Sequence, residues 1–199
     1  MTFQILSVCT GNVCRSPIAA LLLADALSGF ADVRVESAGV GALVGHGVPE
    51  PAQRLGAQHH LDASAHVARQ ITEPVIRDSA LIVAMAREHR RYIVQAVPAA
   101  MRRTFTLREL ARIADVAEET LPQAVSTAGA RTGEEAMRAA VALAASLRGT
   151  IAPPADPDDF DVIDPYRRSD EIYAESFGTL IPAARRVSGY LAAAARLVA

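Results

Sequence analysis

The segment that most constrains this chain is a nine-residue loop near its start, Cys9-Thr-Gly-Asn-Val-Cys-Arg-Ser-Pro17. Residues 3–8, which precede it, are apolar and β-branched and predict a short buried strand. Residues 17–27, which follow it, are mostly good helix formers, with Ser16 expected as the N-cap and Pro17 as the first helical residue. A tight strand-to-helix loop gathers backbone N–H groups beside a helix N-terminus, so the sequence predicts an anion-binding loop.

The residue types in this loop predict phosphoryl-transfer chemistry. Gly11 and Asn12 are suited to unusual backbone angles, and Arg15 supplies a forked cation that matches phosphate oxygens. The positive field at the mouth of such a loop favours the thiolate form of Cys9, and a thiolate is a nucleophile. The remaining members of the predicted phosphate-binding loop are Thr10, Val13, Cys14 and Ser16.

The composition limits the other classes of function. The chain has 199 residues, of which 51% are hydrophobic and 21% charged, as expected for one globular domain. Its net charge of −2 does not indicate nucleic acid or an anionic membrane as a partner. No apolar run is long enough to span a bilayer, and no signal peptide is visible. Both cysteines lie in the loop, so no disulfide framework is expected, which favours a cytoplasmic setting.

The rest of the chain alternates between strand and helix patterns. We predict further strands at 33–37, 80–85 and 103–107, and helices at 49–60 and 87–97. This alternation predicts an α/β fold with a four-stranded parallel sheet and helices on both faces. Ligands of such sheets bind at the carboxyl ends of the strands, where the anion-binding loop is expected.

Residues 111–155 differ in character from the rest. Thr132-Gly-Glu-Glu135 is a capping box that opens an Ala-rich helix ending near Gly149. We interpret 1–199 as a single domain with an Ala-rich helical insertion at about 111–155. This helix is expected to dock on the body of the protein or on a partner, because it cannot bury much surface alone. A final helical region is expected to open at Ser169 or Asp170 and run to the C-terminus, with a kink or break at Pro182.

Four motifs together resemble the low-molecular-weight protein-tyrosine phosphatases. They are CTGNVCRSP at 9–17, SAG at 37–39, HVARQIT at 66–72 and DPY at 164–166. The resemblance covers about residues 1–110 and 156–199 and implies hydrolysis of phosphotyrosine on protein substrates. It implies that Cys9 attacks the phosphorus, that Arg15 and the loop amides hold the equatorial oxygens, and that Asp164 protonates the leaving phenol oxygen. Neither a metal ion nor another cofactor is expected, because Arg15 and the amides supply the positive field.

The resemblance also implies roles for side chains around the loop. Asn12, Ser37 and His66 match residues that brace the loop in that family. Ser16 is positioned by analogy to hydrogen-bond the thiolate, although it also fits a helix cap. His66 equally fits a histidine that only satisfies a turn.

Cys14 has two interpretations. It lies five positions from Cys9 in the same tight loop, so it is placed to trap an oxidised Cys9 as a reversible disulfide. It would otherwise pack under the loop as a small hydrophobic side chain. We predict the redox role.

The residues around DPY bear on the general acid and on the substrate. An acidic run, formed by Asp158, Asp159 and Asp161, precedes the motif. Asp164 is preferred as the acid over Asp161, because the proline that follows it makes its loop rigid. The resemblance implies crevice walls at Tyr166 and at Leu43, where the family usually has an aromatic residue. Arg167 and Arg168 add cations to the rim, which predicts acidic substrates unless the acidic run neutralises them.

Three other functions compete with phosphotyrosine hydrolysis. An arsenate reductase of the same architecture would need an external thiol, because the chain has no cysteine beyond Cys14 to relay electrons. Protein-arginine phosphatases typically carry Thr after the loop Asn, where this chain has Val13, so phosphotyrosine is favoured. A non-catalytic phosphoprotein-binding module would not need Cys9, Arg15 and Asp164 together.

Overall fold

Four parallel strands form the centre of the protein in the computed structural model, which describes residues 2–198. The strands are β1 (Phe3–Cys9), β2 (Val33–Gly39), β3 (Leu81–Ala84) and β4 (Thr104–Thr106), in the spatial order β2-β1-β3-β4. All three neighbouring pairs are parallel. The α/β fold predicted from the sequence is confirmed, and each strand begins and ends within two residues of its predicted bounds.

Helices cover both faces of this sheet. They are α1 (Arg15–Ala26), α2 (Glu50–Ala57), α3 (Glu73–Asp78), α4 (Arg87–Ala96), α5 (Leu107–Ala117), α6 (Leu121–Thr127), α7 (Gly133–Leu147) and α8 (Asp170–Arg196). Alternate side chains of β1 face opposite layers because successive residues of a strand point to opposite sides. Phe3 and Ile5 belong to the core shared with α1, α5, α7 and α8, and Leu6 and Val8 to the core shared with α3 and α4.

Helix α1 corrects one expectation about Ser16. The helix begins at Arg15, and Cys14 is its N-cap residue without a side-chain cap bond. Ser16 therefore lies inside the first turn and is not the predicted cap. Its hydroxyl contacts the Cys9 sulfur and the Asn12 side chain and not a helix N–H group.

Helix α8 is continuous through Pro182, so the predicted break does not occur. A proline removes the hydrogen bond to the carbonyl four residues earlier, here that of Gly178. Both residues lie on the exposed side of the helix, where water can reach the free carbonyl. The helix ends at Arg196, and residue 199, which the prediction also covered, lies outside the described residues.

The predicted insertion contains two and a half helices between β4 and the acidic run. It begins inside α5, includes α6 and α7, and ends before the short 3₁₀ turn Pro157–Phe160. The capping box at Thr132 and Glu135 is confirmed at the start of α7. Helix α7 docks on the body of the protein, where the Tyr190 hydroxyl of α8 donates to the Ala140 carbonyl at 2.9 Å. None of the helices within residues 2–198 has both the length and the apolar character of a membrane span.

Candidate active site

The Cys9 sulfur lies at the carboxyl end of β1, one of the two inner strands, and contacts two hydrogen-bond donors. Its side chain is only 2% exposed. The Asn12 backbone N–H donates to Sγ at 3.3 Å, and the Ser16 Oγ lies 3.0 Å from Sγ. Ser16 Oγ itself accepts a hydrogen bond from Asn12 Nδ2 at 3.0 Å, which leaves the hydroxyl hydrogen free to point at the sulfur. Both groups can therefore donate to a sulfur that carries negative charge.

Asn12 organises the loop through every polar atom of its buried side chain. Its Nδ2 donates to Ser16 Oγ and to Ser37 Oγ at 2.9 Å, and its Oδ1 accepts from the Arg69 backbone N–H at 2.9 Å. Because a backbone N–H can only donate, the contact with Arg69 fixes which end of the amide is oxygen. Asn12 has a φ of +54°, a left-handed conformation that asparagine tolerates better than other residues with a Cβ.

His66 holds the same loop from the other side. Its Nε2 lies 2.7 Å from the Asn12 backbone oxygen, and that carbonyl can only accept, so the imidazole carries its hydrogen on Nε2. Burial lowers the pKa of His66, which favours the neutral form. Sequence analysis placed Asn12, Ser37 and His66 around the loop, and the structure brings all three together.

Gly39, the last residue of the SAG motif, also shapes the phosphate-binding loop, although the sequence analysis assigned it no role. A Cβ at this position would lie 2.4 Å from the Thr10 carbonyl oxygen and 3.0 Å from the Asn12 nitrogen. The backbone of β2 therefore approaches the phosphate-binding loop as closely as it does only because the residue is glycine. Its N–H donates to the Arg69 carbonyl at 3.0 Å, which ties the segment around Arg69 to the same contact.

Arg15 and Asp164 form an ion pair beside Cys9. Arg15 NH2 lies 2.6 Å from Asp164 Oδ2, with Arg15 3% and Asp164 49% exposed. Arg15 NH1 donates to the Val162 carbonyl at 2.9 Å. The buried Arg15 Nε has no hydrogen-bond partner within residues 2–198.

A cavity of about 180 Å³ opens above the sulfur. It is lined by Cys9, Thr10, Gly11, Val13, Cys14, Arg15, Gly41, Leu43, Asp164 and Tyr166. The backbone N–H groups of Gly11, Val13 and Cys14 have no acceptor among the described residues, and they are donors for an anion in this cavity. The two predicted walls, Leu43 and Tyr166, both contribute to it. Three larger grooves are formed by residues 2–198, and none of the three is lined by a cysteine.

Cys14 is buried next to this cavity, and its sulfur lies 3.5 Å from the Tyr173 hydroxyl. Burial raises the pKa of the Cys14 thiol to about 11, so this sulfur is a neutral thiol near pH 7. Cys9 is the sulfur in this pair that contacts two hydrogen-bond donors. The proposed redox partnership between the two cysteines stays a prediction.

The acidic run lies away from the cavity. Asp161 accepts hydrogen bonds from the backbone and the side chain of Arg87, including Nε to Oδ2 at 3.0 Å. Asp158 also pairs with Arg87, and Asp159 pairs with Arg108 at 2.9 Å. All three carboxylates are therefore ion-paired. Of the candidate acids weighed from the sequence, only Asp164 lines the cavity above Cys9.

His89 was not identified from the sequence. Its imidazole, 1% exposed, comes from the first turn of α4, with Nε2 2.9 Å from the Thr10 hydroxyl. Burial, and then the charge of Arg15, lower its pKa to about 4, so the ring is neutral at pH 7. No spacing or motif marks this residue, because its contact with Thr10 joins positions that are 79 residues apart.

The comparisons with known proteins agree with this geometry. The family model for low molecular weight phosphotyrosine protein phosphatase matches residues 4–128. The chain belongs to this family. It is 42% identical over 110 residues to the probable low molecular weight protein-tyrosine-phosphatase EpsP of Ralstonia solanacearum, covering 55% of this chain and 74% of EpsP. It is also 42% identical over 95 residues to the Wzb phosphatase of Escherichia coli, covering 48% of this chain and 63% of Wzb.

Solved structures of a tyrosine phosphatase and an arginine phosphatase extend the similarity over nearly the whole chain. The crystal structure of the Escherichia coli tyrosine phosphatase Wzb with sulphate has a TM-score of 0.64 at 25% identity, covering 95% of this chain and 98% of Wzb. The YwlE arginine phosphatase of Geobacillus stearothermophilus has a TM-score of 0.65 at 26% identity, covering 96% of this chain and 94% of YwlE. The predicted family is confirmed.

Proposed function

We propose that this phosphatase hydrolyses phosphotyrosine monoesters on proteins through a phosphocysteine intermediate. The observation that carries the proposal is the single cavity that contains the Cys9 sulfur, the Arg15 guanidinium and the Asp164 carboxyl group. A nucleophile, an anion-binding cation and an acid in one small cavity are the three parts that this reaction needs.

The first step transfers the phosphoryl group to the enzyme. The Cys9 thiolate attacks the phosphorus, so that the S–P bond forms while the bond from phosphorus to the phenol oxygen breaks. Asp164, as a carboxylic acid, gives its proton to that oxygen and releases tyrosine. Arg15 and the free loop amides bind the equatorial oxygens, where the charge of the transition state is spread. Arg15 must exchange its contact with Asp164 for the phosphoryl group, which leaves Asp164 free to act on the phenol oxygen.

The second step releases phosphate. The Asp164 carboxylate takes a proton from a water molecule whose oxygen attacks the phosphorus, and the S–P bond breaks. The electron pair of that bond returns to the Cys9 sulfur. The Ser16 hydroxyl and the Asn12 N–H stabilise the departing thiolate through the contacts that they already make in the free protein.

The cavity walls support phosphotyrosine as the substrate. Leu43 and Tyr166 offer apolar surface to an aryl ring, and the buried position of Cys9 favours a long side chain over the short arm of phosphoserine. Val13 lines the cavity with no hydroxyl group, which does not favour phosphoarginine. Because the reaction needs Cys9 in its reduced form, we also propose that the protein works in a reducing compartment such as the cytoplasm.

A side-by-side assay tests this function. Peptides of one sequence that carry phosphotyrosine, phosphoarginine or phosphoserine are compared by phosphate release, and arsenate is offered with glutathione as the external thiol. We expect turnover of the phosphotyrosine peptide by the wild type, and none by Cys9→Ser, which should still bind inorganic phosphate. Turnover by Cys9→Ser would contradict the mechanism, and faster release from phosphoarginine or reduction of arsenate would overturn the substrate assignment.

A further inference from the structure

Arg167 and Arg168, here called the rim arginines, come directly after Tyr166, which lines the cavity above Cys9. The Arg167 guanidinium lies 5.2 Å from the centre of the Tyr166 ring. The Arg168 N–H donates to the Pro165 carbonyl at 3.0 Å and closes a tight turn. Arg167 adopts the left-handed conformation within that turn, with a φ of +60°. The two cations are therefore attached to a wall of the cavity through a defined turn, and the contact with the ring further anchors Arg167.

Both side chains are exposed and have no carboxylate within ion-pair distance among residues 2–198. The two acids that flank them in the chain are already bound. Asp164 pairs with Arg15 at 2.6 Å, and Asp170 pairs with Arg54 at 2.7 Å. The positive charge of the rim is thus available to a ligand.

The acidic run does not cancel this charge. Asp158 and Asp161 line a separate groove of about 550 Å³, which adjoins the Arg15–Asp164 ion pair and does not include Tyr166 or the rim arginines. Their carboxylates contact Arg87 in that groove. Asp158 and Asp161 therefore pair with Arg87 and do not neutralise the charges of Arg167 and Arg168.

We propose that this rim selects phosphotyrosine sites with acidic residues next to the phosphotyrosine. The partner that fits the surface is a protein segment whose aryl phosphate enters the cavity while a neighbouring Asp or Glu meets Arg167 or Arg168. Exposed charges of this kind act mainly on the encounter and binding of the substrate, so we expect the preference for acidic peptides to appear in kcat/KM. This inference rests on the proposed function and names the substrate class of the same site.

The experiment compares two phosphotyrosine peptides that differ only in having Glu or Gln on both sides of the phosphotyrosine. Exposed ion pairs are individually weak, so two of them predict a kcat/KM about three- to tenfold higher for the Glu peptide. The preference should shrink between low and high salt, because exposed charges are screened beyond about 10 Å at 0.1 M ionic strength. In the double variant Arg167→Ala/Arg168→Ala the ratio should fall to about one, through loss of the Glu peptide's advantage.

Arg102→Ala is the matched control. Arg102 is also exposed and forms no ion pair within residues 2–198, but it precedes β4 and so lies toward the opposite end of the parallel sheet from Cys9. This variant removes one positive charge, where the double variant removes two, and should keep the wild-type ratio. An unchanged ratio in the double variant, or an equal fall in Arg102→Ala, would overturn the inference. Absence of turnover of both peptides would instead contradict the proposed function, which separates the two failures.

Discussion

Replacing Asp164 with Asn removes the proposed acid and also releases Arg15 from its ion pair. Loss of a general acid slows a reaction by about 10²- to 10⁴-fold when the leaving group needs a proton. We therefore expect this loss of kcat for phosphotyrosine. An aryl phosphate with an activated leaving group, such as dinitrophenol, should lose much less, because its leaving oxygen does not need the proton.

The same substitution should tighten the binding of inorganic phosphate. In the free protein, Asp164 occupies the guanidinium group that phosphate must bind, at 2.6 Å. Exposed ion pairs contribute about 0.2 to 1 kcal/mol, whereas breaking a buried pair costs about 3 to 5 kcal/mol. With Arg15 3% and Asp164 49% exposed, this pair lies between those cases, and we assign it about 1 to 2 kcal/mol. Asp164→Asn should thus bind phosphate about 5- to 30-fold more tightly.

Calorimetric titration with phosphate and kcat measured on both substrates check the two effects together. Asp161→Asn is the control, because the Asp161 carboxylate contacts Arg87 and does not line the cavity. It should leave both the leaving-group dependence and the phosphate affinity near the wild-type values. Equal losses on both substrates in Asp164→Asn would show that Asp164 is only structural. Unchanged or weaker phosphate binding would refute the competition for Arg15.

Three other changes test the surroundings of the cavity. Ser16→Ala removes one hydrogen bond to the thiolate that leaves in the second step, worth at least about 1.5 kcal/mol, so breakdown of the phosphocysteine intermediate should slow about tenfold, as measured by the lifetime of the phosphoenzyme; an unchanged rate would mean that the hydroxyl does not act on the sulfur. Peroxide should inactivate the wild type reversibly and Cys14→Ser irreversibly, as judged by recovery with dithiothreitol, and equal recovery would exclude Cys14 as the resolving thiol. His89 has a pKa lowered from 6.5 to about 4, so the unfolded chain binds its proton first as the pH falls. Urea unfolding should therefore show that the wild type loses about 2 to 3 kcal/mol more stability between pH 7 and 4.5 than His89→Gln does, and parallel losses would contradict the burial argument.

The sequence predicts the fold well because its signals are local. Strand patterns at β1 and β3 are short apolar runs, and the capping box of α7 lies within four residues. The same reasoning should have found α5, since Thr106 and Glu109 form a second capping box with the same spacing. Local rules fail at Ser16, which has the right residue type for a cap. Its hydroxyl contacts the Cys9 sulfur, and the geometry of the loop prevails over the capping preference.

The reactive groups of the site were predictable, and the family resemblance implied the supports Asn12, Ser16, Ser37 and His66, whereas His89 and Gly39 were missed. Cys9 and Arg15 lie in one short loop, so their proximity follows from the sequence. The contact of His89 with Thr10 and the close approach of Gly39 to the loop arise from tertiary packing between distant segments. A single sequence shows neither, because a buried histidine and a strand-ending glycine have ordinary structural roles elsewhere.

The backbone just before Asp164 is held by contacts that do not involve α6 or α7, the helices of the long segment that precedes it. Three consecutive carbonyls ahead of this residue are each held by a side chain from a different helix. Arg108 of α5 donates to the Asp161 carbonyl at 3.1 Å, Arg15 of α1 donates to that of Val162 at 2.9 Å, and Ser176 of α8 donates to that of Ile163 at 2.8 Å.

These anchors fix the backbone immediately before the acid, and none of them comes from α6 or α7. A catalytic group held by such contacts keeps its geometry without help from the rest of its loop. The Ala-rich helix can therefore dock on α8 and lengthen the connection from β4 without displacing Asp164 from Arg15 and the Cys9 cavity.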